Sequence, residues 1–254
     1  MPPPMGDALV RAARDGVVHT VTLCSPANRN ALSRALLGQL AAALADIEAD
    51  NEARIALLRA EGPAFCGGAD LKEAATADAA AQAGTSARML AALRATVALS
   101  VPVLAVVHGP VRAGGVGLVA ACDLAIASSA ATFALGEVRL GLAPAVISTV
   151  VVPRLSDRAA ARLLLGGGEF DGAHAASVGL VSHAVAPDEL DDAVDDLVGR
   201  LTASPRQGLV ATKRLLNGPM LERIDRDGPA MGALSARLFQ SEVAQAHVRR
   251  FLDR

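Results

Sequence analysis

Aromatic side chains are nearly absent from this 254-residue sequence, which has five phenylalanines and neither tryptophan nor tyrosine. Apolar residues still make up 52% of the chain, carried mainly by Ala, Val and Leu. Since large side chains are scarce, the core must be filled by small aliphatic surfaces that approach closely, which favours interleaved helices and short strands. A chain of this length buries roughly three quarters of its unfolded surface, so a full-sized core is expected.

The sequence also lacks long apolar runs and concentrated charge. No stretch reaches the roughly 20 apolar residues of a membrane span. Residues 1–7 have neither the basic start nor the apolar segment of a signal peptide. The formal net charge is -2, and the basic residues are scattered. We therefore expect a cytoplasmic protein that binds neither membranes nor nucleic acid.

Cysteine is rare as well, and the three present, Cys24, Cys66 and Cys122, show neither Cys-x-x-Cys nor a histidine at metal-ligand spacing. This pattern is typical of reduced, structural thiols. Cys66 lies in a glycine turn, so a catalytic thiol is an alternative for that residue. The motifs His-Glu-x-x-His and Gly-x-Ser-x-Gly do not occur.

The pattern of predicted elements is that of an α/β protein. Arg14-Asp15-Gly16 between two β-prone runs predicts a hairpin. A helix is expected to begin at Ser33, because apolar residues recur after it at helical spacing: Leu36, Leu37, Leu40, Leu44 and Ile47. Further strands are expected over 55–59, 103–107, 123–128 and 178–182.

Helices are expected in the remaining periodic segments. One should begin at Ser86, after a stretch over 74–84 that fits either a mobile loop or a weak helix. Beyond Pro187 the chain should be helical throughout, with helices over 188–201 and 206–216 and a long final segment.

The stretch from Ala105 to Asp123 concentrates the chemistry, because an apolar strand leads into a glycine cluster that opens a short helix. Gly115-Val-Gly117-Leu-Val-Ala120 fits a permissive dinucleotide-binding fingerprint, with Glu137 at about the expected distance. The helix is only about two turns long, and Glu137 lies beyond the end of the next strand. We therefore favour another use, in which a helix N-terminus offers bare N–H groups to a developing negative charge.

A second glycine turn, Gly67-Gly68-Ala69, also precedes a helix, which should begin at Leu71. One N–H from this turn and one from the turn at Gly114 would make an oxyanion hole if the fold brings them together. Spacing alone leaves open that each is merely a tight turn. Asp70 is expected to cap the helix at Leu71.

Four further polar residues stand out. Glu137 has apolar neighbours, so desolvation would raise its pKa and suit it to donate a proton, whereas a solvated glutamate at a helix start is the alternative. His108 is expected to end a strand rather than line a site. Arg112 and Arg139 could bind a substrate carboxylate or phosphate, but solvation is the expected state of both.

Taken together, these motifs resemble the enoyl-CoA hydratase/isomerase (crotonase) superfamily. The matching segments occur in the family's order and approximate spacing: 28–33, 64–72, 113–123, 133–140 and 179–181. They cover about residues 8–190. The C-terminal helices fit more loosely, because the family's Glu-Gly near the end looks replaced by Gln245-Ala246.

The resemblance implies an α/β fold of the ClpP/crotonase type. A core of repeated strand-strand-helix units would span residues 1–190 and hold the acyl-CoA site, and a helical oligomerisation region would span 191–254. Trimers or dimers of trimers are implied, aided by an apolar stripe at Met231, Leu234 and Leu238. The substrate would be an acyl-CoA thioester, and no cofactor is expected, since coenzyme A is part of the substrate.

The resemblance also assigns residues to the site. The N–H groups of Ala69 and Gly114 would hold the thioester oxygen and stabilise an enolate, with Glu137 as the catalytic acid or base. The remaining substrate-binding residues would be Asn28, Arg29, Phe65, Gly68, Asp70, Lys72, Gly115 and Gly117. Lys72 is the expected phosphate contact.

In the well-known hydratases of this family two glutamates hold the attacking water. Here the second is Glu137, whereas the first falls on Gly117, which has no side chain. Branches that look like 3-methylglutaconyl-CoA hydratases carry a similar Gly-Gly-Val-Gly-Leu followed by Glu-Val-Arg-Leu-Gly-Leu. Isomerases of the superfamily work with a single acid at the later position.

We therefore expect hydration of a 2-trans-enoyl-CoA to a 3-hydroxyacyl-CoA. The alternatives are a 3-enoyl-CoA to 2-enoyl-CoA isomerase, a 3-methylglutaconyl-CoA-type hydratase and a non-catalytic acyl-CoA binder. The space freed by Gly117 is expected to admit water or a bulkier acyl group.

Overall fold

The computed structural model describes residues 8–253, which form nine strands and ten α-helices. The strands are β1 (Val10–Asp15), β2 (Val18–Leu23), β3 (Ile55–Ala60), β4 (Val103–Val107), β5 (Val111–Arg112), β6 (Leu124–Ser128), β7 (Thr132–Ala134), β8 (Glu169–Asp171) and β9 (His183–Val185). The helices are α1 (Arg34–Ala49), α2 (Leu71–Thr76), α3 (Ala79–Ala98), α4 (Gly114–Ala121), α5 (Ala145–Val151), α6 (Asp157–Gly166), α7 (Gly172–Ser177), α8 (Leu190–Ala203), α9 (Arg206–Phe239) and α10 (Glu242–Leu252). None of the helices in this range combines the length and hydropathy needed to cross a bilayer.

Two sheets organise the molecule. A six-stranded sheet has the order β1-β2-β3-β4-β6-β9, and a three-stranded sheet has the order β5-β7-β8. β1 and β2 form the predicted antiparallel hairpin, and Gly16 in its turn adopts a φ of +56°. The other neighbours in the large sheet are parallel. β4 and β6 lie in the large sheet, whereas β5 and β7 lie in the small one. Each of these two strand pairs along the sequence therefore adds one strand to the large sheet and one to the small sheet.

Helix starts follow the capping residues. Ser33 accepts a hydrogen bond from the N–H of Leu36 at the start of α1, and all five predicted apolar residues of this helix are buried. α3 begins at Ala79 rather than at Ser86, because the Asp78 carboxylate caps it by accepting from Ala81 N. The stretch over 74–84 is therefore largely helical, and the expected start of α3 was wrong.

Two other expectations about elements were wrong. Residues 178–182 form no strand, because Gly179 has a φ of +84° in the turn after α7; Leu180 and Val181 are apolar because they pack into the core. α9 does not end at Leu216 but continues through Pro219 and Pro229 to Phe239. Its buried face, which includes Met220 and Ile224, packs in the main core, and this packing outweighs the two prolines.

The C-terminal helices pack on the core. Leu190 and Val194 of α8 cover one face of the large sheet, against Ile55, Leu104 and Ile126. α9 packs along α3 and α5, and its buried side chains Met220 and Ile224 belong to the main apolar cluster. The division of the chain at residue 190 and the oligomerisation role of the second part stay predictions.

A buried ion pair fixes α9 to the sheet. Lys213 is 5% exposed, and its Nζ lies 2.7 Å from Oδ2 of Asp123 and donates to the carbonyls of Thr96 and Val101. Asn217, one turn further along α9, donates to the other oxygen of Asp123 at 2.7 Å. Burial lowers the pKa of Lys213, and the Asp123 carboxylate opposes this effect. The pair joins α9 to the end of α3 and the start of β6.

Replacing Lys213 should show the cost of leaving its partner unpaired. We expect Lys213→Met to lower the free energy of unfolding by about 3 kcal/mol, because Asp123, with only 13% of its side chain exposed, loses its countercharge. Arg200→Met is the control, since its pair with Asp196 is exposed (67% for both side chains), and we expect a change of at most about 1 kcal/mol. Urea unfolding followed by circular dichroism measures both, and equal effects would contradict the assignment.

Candidate active site

The two glycine turns meet in space. β5 leads directly into α4, and the N–H of Gly114, the first helical residue, has no acceptor within the helix. A Cβ atom at Gly114 would lie only 3.7 Å from the backbone N of Ala69. Isolated parallel bridges between Cys66 and Val111 and between Leu32 and Ala69 hold the segments side by side. The fold thus supplies the proximity that sequence spacing could not establish.

Strained backbone sets the direction of these turns. Ala113, just before α4, has a φ of 48° and a ψ of -113°, a conformation that residues with a Cβ rarely adopt. Its N–H donates to Ala134 O at 2.9 Å, and its carbonyl accepts from Val116 N. Gly68 has a φ of +87°, and a Cβ there would lie 2.8 Å from the carbonyl oxygen of Arg112. Glycine at position 68 is therefore required for the close approach of the two turns.

Glu137 is a half-buried residue whose carboxyl end is enclosed by the protein. It begins a short 3-10 helix over Glu137–Leu140 after β7, and its Oε2 is buried without a hydrogen-bond partner within residues 8–253. Burial raises the pKa of Glu137 to about 7. Of the two interpretations of this residue, the structure supports desolvation rather than a solvated helix start. At neutral pH both protonation forms are populated, which suits a group that accepts and returns a proton.

The strand that precedes Glu137 is bonded to the turn at Gly114. β5 pairs with β7 through Val111 with Phe133 and Arg112 with Ala134. Ala134 also accepts the N–H of Ala113, the residue before Gly114. The acid and one candidate donor are thus positioned by the same small sheet.

Several predicted substrate-binding residues lie around the turn at Gly67. The Arg29 carbonyl accepts from Gly67 N at 2.7 Å, which places the Asn28-Arg29 loop against this turn. Asp70 is confirmed as a helix cap, because its carboxylate accepts from the N–H groups of Lys72 and Glu73. The Lys72 side chain is exposed at the start of α2.

Phe65 and Gly115 serve packing in this structure. Phe65 is fully buried (0% exposed) in the main apolar cluster, so its ring packs the core rather than facing an open site. A Cβ at Gly115 would lie 2.7 Å from Cβ of Cys66, so glycine allows α4 to approach the segment that follows Phe65.

Other polar candidates are engaged elsewhere. Burial raises the pKa of the Cys66 thiol to about 12, and this thiol donates to Asn30 O, so the alternative of a catalytic thiolate was wrong. Arg112 is half-buried rather than solvated, since it donates to Thr132 and pairs with Glu169. His108 directly follows β4, as expected, and its Nε2 lies 2.8 Å from Gly62 O.

The position of Gly117 is filled rather than empty. A Cβ there would lie 2.4 Å from Cγ2 and 2.9 Å from Cβ of Ile147 on α5, and 3.6 Å from Cε of Met89. The expectation that Gly117 leaves room for water or a bulkier acyl group is therefore wrong at this point, because α5 packs against α4 there. Ile147 and Met89 were missed from the sequence, which gives no sign that they adjoin Gly117.

A narrow cleft with about 20 Å³ of free space opens beside the backbone of Ala69, between α2 and α3. Its lining includes Leu32, Ala74, Ala77, Gln82 and Thr85, and the carboxylates of Asp70 and Glu73. Gln82, Thr85 and Met89 share one face of α3, since they are three and four residues apart. This spacing was readable from the sequence, but only the position of α3 shows that the face adjoins the glycine turns.

The packing at Gly117 can be tested by a double-mutant cycle. We expect Gly117→Ala to lower the free energy of unfolding by about 1–3 kcal/mol, because the new Cβ overlaps Ile147. Combined with Ile147→Ala, the loss should be smaller than the sum of the two single losses. The control is Gly199→Ala in α8, where a Cβ meets nothing within 4 Å and should not destabilise. Additive losses in urea unfolding would show that the residues do not compete for space.

Burial of Glu137 predicts a pH dependence of stability. Because its pKa rises from 4.5 unfolded to about 7 folded, the native state holds the extra proton between these values, and the free energy of unfolding falls as pH rises through them. The loss is complete above the folded pKa and amounts to about 3 kcal/mol. Urea unfolding at pH 5 and pH 8 should show this fall relative to Glu137→Gln, which has no proton to lose. Parallel pH profiles would contradict the burial of an ionisable group.

Known proteins resemble this chain in fold and in sequence. The sequence model described as "Enoyl-CoA hydratase/isomerase" matches residues 13–254. A solved enoyl-CoA hydratase from Mycobacterium avium superimposes with a TM-score of 0.90 at 43% identity, covering 98% of this chain and 97% of that one. The mixed α/β crotonase fold expected from the resemblance is confirmed.

Two curated relatives add to this picture. The mitochondrial enoyl-CoA hydratase domain-containing protein 3 of Danio rerio is 31% identical over 252 residues, which cover 97% of this chain and 86% of the relative. The mitochondrial methylglutaconyl-CoA hydratase of Rattus norvegicus is 34% identical over 167 residues, 65% of this chain and 53% of the relative. The chain belongs to the enoyl-CoA hydratase/isomerase family.

Proposed function

We propose that this chain adds water across the double bond of a 2-trans-enoyl-CoA to give a 3-hydroxyacyl-CoA. The observation that carries the proposal is the enclosed carboxyl of Glu137, whose buried Oε2 has no hydrogen-bond partner within residues 8–253 and whose pKa of about 7 fits proton transfer at neutral pH. The proximity of the Ala69 and Gly114 turns supports a second element of the proposal, a pair of backbone donors for a developing oxyanion.

The proposed reaction begins with the thioester carbonyl between the N–H groups of Ala69 and Gly114. These donors draw electron density to the oxygen and make C3 of the enoyl group electrophilic. Ionised Glu137 takes a proton from a water molecule as the water oxygen bonds to C3, and the C2=C3 electron pair moves to form the enolate. The protonated Glu137 then returns the proton to C2, and the carbonyl re-forms. Atoms balance, and the carboxylate is regenerated.

The single acid makes isomerisation the second candidate. Gly117 has no side chain to orient water, and Ile147 fills the space beside it. A lone carboxylate can instead remove a proton from C2 of a 3-enoyl-CoA and return it to C4, with the same backbone donors holding the dienolate. A non-catalytic acyl-CoA binder would gain nothing from a buried carboxyl that destabilises the fold at neutral pH, so the retained Glu137 opposes that alternative.

We also propose an assembly and a cofactor requirement. Leu215 and Leu216 on α9 are 81% and 71% exposed in the single chain, and this exposed apolar surface supports burial in a trimer or a dimer of trimers. We propose that the reaction needs no cofactor, because the coenzyme A moiety arrives with the substrate.

Removing the proton-transfer group tests the proposal. We expect Glu137→Gln to lower kcat by roughly 10²- to 10⁴-fold while acyl-CoA still binds, because the amide keeps the shape of the side chain but cannot exchange the proton. In the wild type, kcat/KM should rise with pH up to about 7 and then level off, since the ionised carboxylate starts the reaction.

The assay uses 2-enoyl- and 3-enoyl-CoA thioesters, with hydration followed by loss of the enoyl absorbance and isomerisation by its gain. Glu52→Gln, on an exposed loop, is the matched control and should keep wild-type rates. Full activity of Glu137→Gln would remove this residue from the mechanism. Isomerisation without hydration of any 2-enoyl-CoA would replace the preferred reaction by the second candidate.

A further inference from the structure

Gln82 is a buried amide without a protein partner. It lies near the start of α3, is 3% exposed, and lines the cleft beside Ala69. Within residues 8–253 its side-chain amide has no protein hydrogen-bond partner, and the amide atoms are accessible from the cleft rather than sealed in the core. A glutamine amide offers two donors and an oxygen acceptor, and here these groups open on the cleft, where a bound molecule can meet them. Such a group in a cleft is expected to have a ligand as its partner.

The other polar groups that line the cleft are already engaged. Asp70 caps α2, and the Glu73 carboxylate pairs with the Arg34 side chain and accepts Arg34 N at 3.1 Å. The hydroxyl of Thr85 donates to Ala81 O at 3.1 Å. The described lining contains two carboxylates and no Lys, Arg or His. Gln82 is therefore left to recognise a bound molecule, and it does so in surroundings that disfavour a negative charge.

The face of α3 connects Gln82 to the reacting centre. Met89, two turns further along this face, has its Cε 3.5 Å from a Cβ placed on Gly114. An acyl chain that starts at the carbonyl between Ala69 and Gly114 would meet the apolar Met89 close to its reacting carbons. Further along α3 the chain would meet Gln82. Along the acyl chain, the apolar contact with Met89 therefore comes first and the hydrogen-bonding contact with Gln82 second.

We propose that Gln82 is a specificity-determining residue that hydrogen-bonds an uncharged polar group, such as a hydroxyl, on the acyl chain of the substrate beyond the double bond. The proposal rests on the proposed acyl-CoA function and narrows its substrate class. A chain that ends in a carboxylate fits this cleft poorly, because the lining brings it near Asp70 and Glu73, and Arg34 beside them is already paired with Glu73. The cleft therefore selects against the 3-methylglutaconyl type of substrate.

The experiment compares pairs of 2-enoyl-CoA thioesters of equal length. One member of each pair has a plain alkyl chain, and the other carries a hydroxyl at C5, C6, C7 or C8. A third set carries a terminal carboxylate.

For the hydroxyl position that reaches Gln82, the wild type should prefer the hydroxylated member in kcat/KM. Gln82→Met, which keeps the length but cannot hydrogen-bond, should lower this preference about tenfold, through KM rather than kcat. The same substitution at exposed Gln207 on α9 is the control and should keep the wild-type preference.

Three outcomes would overturn the proposal: no preference for any hydroxylated member in the wild type, an unchanged preference in Gln82→Met, or a preference for the carboxylate set. If the wild type converts none of the thioesters, the proposed hydration fails separately. The same comparison is then made by calorimetry with saturated acyl-CoAs, with and without the hydroxyl. A tenfold loss of the binding preference in Gln82→Met would still support the role of Gln82, and equal affinities would overturn it.

Discussion

Close approach between backbone segments is the constraint on which the candidate site depends. A Cβ at Gly68 would lie 2.8 Å from Arg112 O, and one at Gly115 would lie 2.7 Å from Cys66, so neither position tolerates a side chain without movement. The glycines let the start of α4 lie against the turn before α2, which is the proximity that the proposed pair of backbone donors requires. Since backbone N–H groups cannot change rotamer, donors placed in this way are preorganised for a developing charge.

The acid is positioned by the same frame, and it lowers stability at neutral pH. β7 is bonded to β5 and to Ala113, so any shift of the glycine turn also shifts the strand that leads to Glu137. A carboxyl held in this buried place destabilises the fold once it ionises. The ion pair of Lys213 with Asp123 and the packing of α9 on α3 involve other segments of the chain than the one that carries this acid.

The sequence predicted those parts of the structure that depend on local chemistry. The hairpin at Gly16, the cap at Ser33 and the cap at Asp70 each follow from one or two residues and their immediate neighbours. The family resemblance supplied the fold, which no local pattern contains. The errors arose where distant packing decides. Leu180 and Val181 look like a strand because both are apolar, but the turn at Gly179 makes them core residues without strand geometry.

The misinterpretation of Gly117 shows most clearly what a sequence omits. A glycine suggests empty space where a side chain would be, but a neighbouring side chain can fill that space. Here Ile147 from α5 occupies it. The same reasoning explains why Gln82 could not be identified from the sequence: a polar residue at the start of a helix is normally solvated, and only its burial beside Ala69 gives it a different meaning. With no side chain at position 117 and a buried amide at position 82, the proposed site relies on Glu137 for proton transfer and on Gln82 for recognition.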